Sequence, residues 1–112
     1  MVEGVGGWRV PLNGQYDVAA MAADIGLPVV LVVGLRLGCI SHARLTAEAI
    51  AVAGQTLVGW VGNSISASVI DQQTVDALAD ALLAPCLGVV PKLKSPAEVS
   101  AYLSIGVGLE LA

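Results

Sequence analysis

Three apolar runs rich in β-branched residues constrain this chain more than any other feature: LPVVLVV (27–33), TLVGWV (56–61) and CLGVV (86–90). Short unbroken runs of this kind, without polar alternation, read as strands buried on both faces, the pattern of a parallel sheet. Between them lie segments with helical spacing. ISHARLTAEAIAVAG (40–54) brings Ile40, Leu45, Ala49 and Ile50 toward one face and stops at Gly54. VIDQQTVDALADALLAP (69–85) spaces Val75, Leu78 and Leu82 the same way and is closed by Pro85. QYDVAAMAADIG (15–26) reads as a helix that ends at Gly26, with Asp17 near its positive end. With Met1 and Val2 taken as the tail of a strand, strands and helices alternate along the chain, and a terminal segment after the last strand leaves room for a further helix. The expected fold is α/β, a parallel sheet flanked by helices on both faces.

Composition narrows the setting. The chain has 112 residues, 56% of them hydrophobic and only 12% charged. One domain is the upper limit at this length, and so apolar a chain is expected to bury part of its surface against something beyond itself. Membrane insertion is a poor alternative. The longest apolar stretch, Ile25 to Leu35, contains Gly26 and Pro28, is followed by Arg36, and falls well short of the roughly 20 residues that span a bilayer. No basic segment leads into an apolar one as in a secretory signal, so a cytoplasmic protein is expected. A net charge of −4 with five scattered basic residues argues against nucleic acid as a partner. Cys39 and Cys86 stand far apart with no CxxC spacing, which suggests neither zinc nor a disulfide framework and leaves both expected as buried thiols.

In open α/β sheets, ligands gather outside the carboxyl ends of the strands. That rule selects EGVGG (3–7), GLRLGC (34–39), GNS (62–64) and PKLKSPAE (91–98), all expected on one rim. A carboxylate at Glu3 could hold Mg²⁺, with Gly4, Gly6 and Gly7 admitting phosphates close to the backbone; ordinary turn chemistry accounts for the same glycines. GVGGWRV fits neither GxGxxG nor GxxxxGK[ST], so the principal triphosphate cradle is expected elsewhere. Gly38 and Ser41 sit at a helix start, where free amides favour an anion, although Ser41 also suits a simple N-cap. His42 is the single histidine and reads as a surface residue of the first turn. Asn63 could read a nucleobase edge or merely serve a turn. The Pro91 to Glu98 loop could form a base or ribose pocket or be an ordinary loop.

Taken in order, VEGVGGWRVPLN, LPVVLVVGLRLGCISHARLTAEAI, LVGWVGNSI and APCLGVVPKL resemble the dethiobiotin synthetases. The resemblance covers nearly the whole chain, but only the C-terminal half of that family. It implies the second half of a P-loop NTPase-like, Rossmann-type domain. The P-loop, the neighbouring lysine and a second acidic magnesium ligand belong to an N-terminal half without counterpart here, so no catalytic residue is expected in this chain. The start at Met1 would then fall near the end of an internal strand, in a fragment or from a truncated gene start.

The implied chemistry is an ATP-driven ring closure. Carbon dioxide forms a carbamate on one amine of 7,8-diaminononanoate, ATP phosphorylates it, and the second amine closes the cyclic urea. By resemblance Glu3 is a magnesium ligand, and Gly4, Val5 and Gly6 lie beside the ATP phosphates. Asn63 and Ser64 recognise the base; Pro91, Lys92 and Leu93 line the adenine pocket, with Glu98 added by ungapped spacing. Gly38, Cys39, Ile40 and Ser41 match the helix start that takes the diamino acid's carboxylate across a homodimer interface, with Ser41 standing where many members have Asn. Two further readings compete: a non-catalytic nucleotide-binding or dimerisation module of the same fold, and another member of the wider P-loop amide-ligase and partitioning-ATPase group. The second of these offers no account of GLRLGCISHARLTAEAI.

Overall fold

The computed structural model describes residues 1–65 and 70–104. Its centre is a parallel sheet of three strands, β3 (Val29–Gly34), β4 (Leu57–Asn63) and β5 (Cys86–Val90), in the order β3-β4-β5. All three apolar runs are strands. Val33 pairs with Gly62 across β3 and β4, and Gly62 with Val89 across β4 and β5. At the carboxyl ends the pairing continues one step into the loops: the Leu35 amide donates to the Asn63 carbonyl at 2.9 Å, and the Ser64 amide to the Val90 carbonyl at 2.8 Å.

Helices α1 (Val18–Ile25), α2 (Cys39–Val52) and α3 (Gln72–Ala81) fall in the expected segments. Val69, included in the expected third helix, lies outside the described residues, as does the end of the chain beyond residue 104. Before that end, Pro96–Tyr102 form a 3₁₀ helix.

The two α-helices that follow β3 and β4, α2 and α3, do not divide between the two faces of the sheet. Cys39 and Ala43 of α2 and Val75 and Leu78 of α3 share one cluster with Val33 and Trp60. Strands added in chain order through crossovers of one hand place successive helices on the same face, which accounts for the difference. The opposite face packs Val61, Leu87 and Val90 against Leu93, Val99 and Leu103 from the 3₁₀ segment. There the chain passes so close to β5 that a Cβ on Gly88 would collide with the Tyr102 carbonyl. Among the described residues, Val30 and Val32 on β3 lie beyond this cover, Val32 being 62% exposed.

Three expectations need correction. Residues 1–10 contain no strand; instead Pro11–Asn13 (β1) and Tyr16–Asp17 (β2) form a small antiparallel hairpin running into α1. The inward face of α2 is set by Cys39, Ala43 and Ile50, while Leu45 is 63% exposed. The helix begins one residue earlier than the apolar spacing suggested and turns small residues toward the crowded α3 contact. Finally, only Cys39 is a buried thiol, because Cys86 opens β5 at its exposed end.

Candidate functional site

The carboxyl ends of β3 and β4 frame a cavity of about 500 Å³. Leu35 to Ser41 line one side, Ser64 the floor of the next strand's loop, and Ile70, Asp71 and Thr74 the side toward α3. Gly38 makes this arrangement possible. It takes φ 89°, a left-handed conformation that other residues rarely adopt, and so turns the chain sharply from β3 into α2. Cys39 and Ala43 then anchor the start of α2 in the core against Trp60.

Two helix starts border this cavity, and they differ. Asp71 caps α3: its carboxylate accepts the Gln73 amide at 3.0 Å and the Thr74 hydroxyl at 2.7 Å. Those two donors, the hydroxyl foremost, hold its carboxyl below the ordinary aspartate range. No side chain caps α2. The Cys39 amide donates to the Arg36 carbonyl at 3.0 Å, and the first helical bond runs from the His42 amide to Gly38. The amides of Ile40 and Ser41 lie inside the first turn, before any intrahelical acceptor. An anionic group entering the cavity is therefore drawn toward Ile40 and Ser41 and repelled from the α3 end. Ser41 is thus not the N-cap, a role Gly38 takes, and Cys39 contributes wall and packing rather than a free donor.

His42 is exposed, as expected of a first-turn surface residue. Asn63 ends β4 half-buried, beside Ser64. Pro91 and Leu93 are half-buried just after β5, Lys92 is exposed between them, and Glu98 is exposed in the first turn of the 3₁₀ helix. The residues expected to line an adenine pocket thus follow the same rim as the cavity, without lining it.

Glu3, Gly4, Val5 and Gly6 form a separate exposed loop. Gly6 and Gly7 take φ values of 91° and 115°. A Cβ on Gly4 would meet Val18 at 3.4 Å, so the loop rests on the start of α1. Among the described residues no group of three or more His, Cys, Asp or Glu side chains could hold a metal. Glu3 is a single exposed carboxylate, and Mg²⁺ commonly takes one or two carboxylates and completes its shell with water and substrate phosphates. The two regions share no lining residue, and in this respect the structure does not gather all the predicted site residues into one pocket.

Sequence reasoning placed Arg36 on the rim only as part of GLRLGC, and passed over Asp71 and Thr74 as cavity residues. An aspartate immediately before a helical pattern is an N-cap signal, so Asp71 was detectable as a cap; its place in the cavity depends on how α3 docks against α2.

An α/β domain with a cavity at the strand carboxyl ends is what the fold and site define. A family described as an AAA domain matches residues 1–99, and the chain belongs to that family. Within it, the chain is similar to proteins named ATP-dependent dethiobiotin synthetase BioD. It is 53% identical to the one from Aromatoleum aromaticum (strain EbN1), over 94% of this chain and 48% of the relative. It is 54% identical to that of Janthinobacterium sp. (strain Marseille), over 92% of this chain and 45% of the relative. The protein from Pseudomonas paraeruginosa (strain PA7) is 50% identical over 97% of this chain and 50% of its own length. The chain thus spans about half the length of the curated relatives it matches.

Proposed function

We propose that this chain supplies the C-terminal half of an ATP- and Mg²⁺-dependent cyclo-ligase that makes dethiobiotin from 7,8-diaminononanoate and carbon dioxide. The observation that carries this reading is the cavity over the uncapped start of α2, in a chain about half identical to enzymes of that name. The substrate has one carboxylate and two amines far along its chain. A helix start with free amides suits the carboxylate, and the self-capped start of α3 fixes which end of the cavity receives it. Ile40 and Ser41 bind that group, Gly38 shapes the turn, and Cys39 holds the turn against the core.

Glu3 would supply a carboxylate oxygen to Mg²⁺, with Gly4 to Gly6 lying beside the ATP phosphates. The metal would offset phosphate charge as phosphoryl transfer proceeds. Asn63, Ser64, Pro91, Lys92, Leu93 and Glu98 form the nucleoside side of the site in this reading. Turnover requires the P-loop and its lysine, which the family carries in its other half, so the isolated chain is expected to be inactive. The assembly is a cytoplasmic homodimer in which the partner completes the carboxylate pocket. Among the described residues no helix is long and apolar enough to cross a membrane.

The test is complementation. The chain is co-expressed with the P-loop half of one of its relatives in a bacterium that lacks dethiobiotin synthetase, and growth without biotin is scored beside incorporation of labelled bicarbonate by the purified pair. Growth and ATP-dependent incorporation are expected for the pair and absent for either half. A pair that assembles and binds ATP but never incorporates label would point to the non-catalytic module instead.

A further inference from the structure

The glycine loop is held by a polar clamp that its resemblance to a nucleotide loop does not explain. Asp17 stands at the centre. One carboxylate oxygen accepts the Ala20 amide at 2.9 Å and caps α1. The other lies 2.7 Å from Arg9 Nε, with the aspartate side chain only 15% exposed and the arginine 77% exposed. One step along the chain, the Val18 amide donates to the Val10 carbonyl at 3.0 Å. Residues 9 and 10, which end the loop, are thereby fastened to residues 17 and 18, which begin α1. The loop itself then lies on this junction, Gly4 against Val18 and Gly6 against Val10. At the far end of α1 the Tyr16 hydroxyl donates to the Asp24 carboxylate at 2.7 Å, so the hairpin is fastened along the helix at both ends.

A helix cap alone needs no arginine. Asn caps as well as Asp, and the Ala20 amide would be satisfied by either. What the charge adds is the hold on Arg9, and through it on the path of residues 4 to 8. We propose that Asp17 is a positioning residue: with Arg9 it fixes the Glu3 to Gly7 loop on the start of α1 in the conformation that meets the nucleotide phosphates. This rests on the nucleotide reading of that loop, and the experiment separates the two.

Amide hydrogen exchange is followed in the 112-residue chain and in its Asp17→Asn, Asp17→Ala and Arg9→Gln variants. Asp17→Asn is expected to keep α1 protected at wild-type level while exchange at residues 4–10 quickens roughly three- to fivefold, the scale of a lost exposed ion pair. Arg9→Gln should reproduce that loop effect, and the double variant should add nothing to it. Asp17→Ala should loosen the loop and fray α1 together. If Asn restores the loop as fully as it restores the helix, or if Arg9→Gln leaves the loop unchanged, Asp17 is only a cap and the proposal is overturned. Calorimetry with Mg·ATP on the chain paired with a relative's P-loop half adds the functional arm, with Glu3→Gln as reference. Weaker nucleotide binding in Asp17→Asn supports the proposal; unchanged binding where Glu3→Gln weakens it overturns it. Where Glu3→Gln itself has no effect, the nucleotide reading of the loop falls, and the exchange rates alone decide the clamp.

Discussion

The cavity at the start of α2 and the loop at Glu3 are both glycine turns bordering a helix start, yet different forces hold them. The cavity wall is an extension of the core: Cys39 and Ala43 are buried, and behind them stand Trp60 and Leu78, both at 0% exposure. The loop is exposed from Glu3 to Gly7, and among the described residues an ion pair, a backbone bond and apolar touches at Gly4 and Gly6 hold its shape. Burial is insensitive to salt and pH, whereas an exposed ion pair answers to both. The first region is suited to a fixed recognition pocket, and the second to a segment that adapts as phosphates and metal arrive.

The sharpest way to break this comparison is through the core. Leu78→Ala removes a fully buried side chain between α3 and the sheet and should cost about 2–5 kcal/mol, depending on how far the site collapses. Urea titration measures that loss. At low urea, exchange at residues 40–43 should rise with it, while residues 4–10 keep their own faster rate. Parallel increases in both regions would mean that the loop too is held by the core.

Next in size is the turn into α2. Gly38→Ala places a side chain at φ 89°, for which left-handed strain is about 1–2 kcal/mol. Nothing lies within 4 Å of the added Cβ, so strain and not collision is being measured. Stability should fall by that amount, and diamino acid binding by the paired halves should weaken more than ATP binding. Equal losses for both ligands would remove the reason to assign this turn to the carboxylate.

Acid should act on caps of both regions, and the sign follows from the direction of the shifts. The Ala20 amide first, and Arg9 after it, lower the Asp17 carboxyl below its ordinary value; the Thr74 hydroxyl and Gln73 amide lower Asp71. Each aspartate therefore stabilises the fold above the ordinary value of 3.8, and that contribution disappears as pH falls through the lowered one. Stability measured down the acid limb should lose part of its slope in Asp17→Asn and part in Asp71→Asn. Raising salt should flatten only the Arg9-dependent share at Asp17. A salt response of the same size at Asp71, which has no cationic hydrogen-bond partner among the described residues, would contradict the distinction.

Much of this was legible in the sequence, for reasons that sit in particular residues. Unbroken runs such as CLGVV and helix stops such as Gly26 are local signals, and the strands and helices followed them. The buried trio Val75, Leu78 and Leu82 was legible because α3 packs along one clean stripe. On α2 the reading of Ile50 as inward holds, while Leu45 was misplaced and Cys39 and Ala43 were passed over, because small side chains chosen by how closely α3 approaches give no apolar signal. The β1–β2 hairpin was hidden: Pro11–Asn13 and Tyr16–Asp17 are too short for any periodicity. Of the site, the rim followed from topology, and Gly38 from the turn it must make. Asp71 at the cavity and Arg9 on Asp17 are tertiary facts, set by docking of elements that sequence spacing does not fix.

The smallest effect is the most pointed. Ser41 is exposed at the third position of α2, and its amide, like that of Ile40, precedes the first helical acceptor. If these amides supply most of the attraction for a carboxylate, the attraction belongs to the backbone and survives removal of the hydroxyl. Ser41→Ala then loses a single side-chain hydrogen bond, about 0.5–1.5 kcal/mol, which is roughly two- to tenfold in affinity. Ser41→Asn, whose side-chain amide can both donate and accept, should match or exceed the original affinity. Calorimetry of the paired halves with the diamino acid, and separately with ATP, reads both changes. ATP affinity should change far less, because of the residues assigned to the nucleotide only Ser64 lines the cavity, and Glu3 and its loop do not. A loss well beyond tenfold in Ser41→Ala would transfer recognition from the backbone to the side chain, and a matching loss for ATP would show that the two regions act as one site.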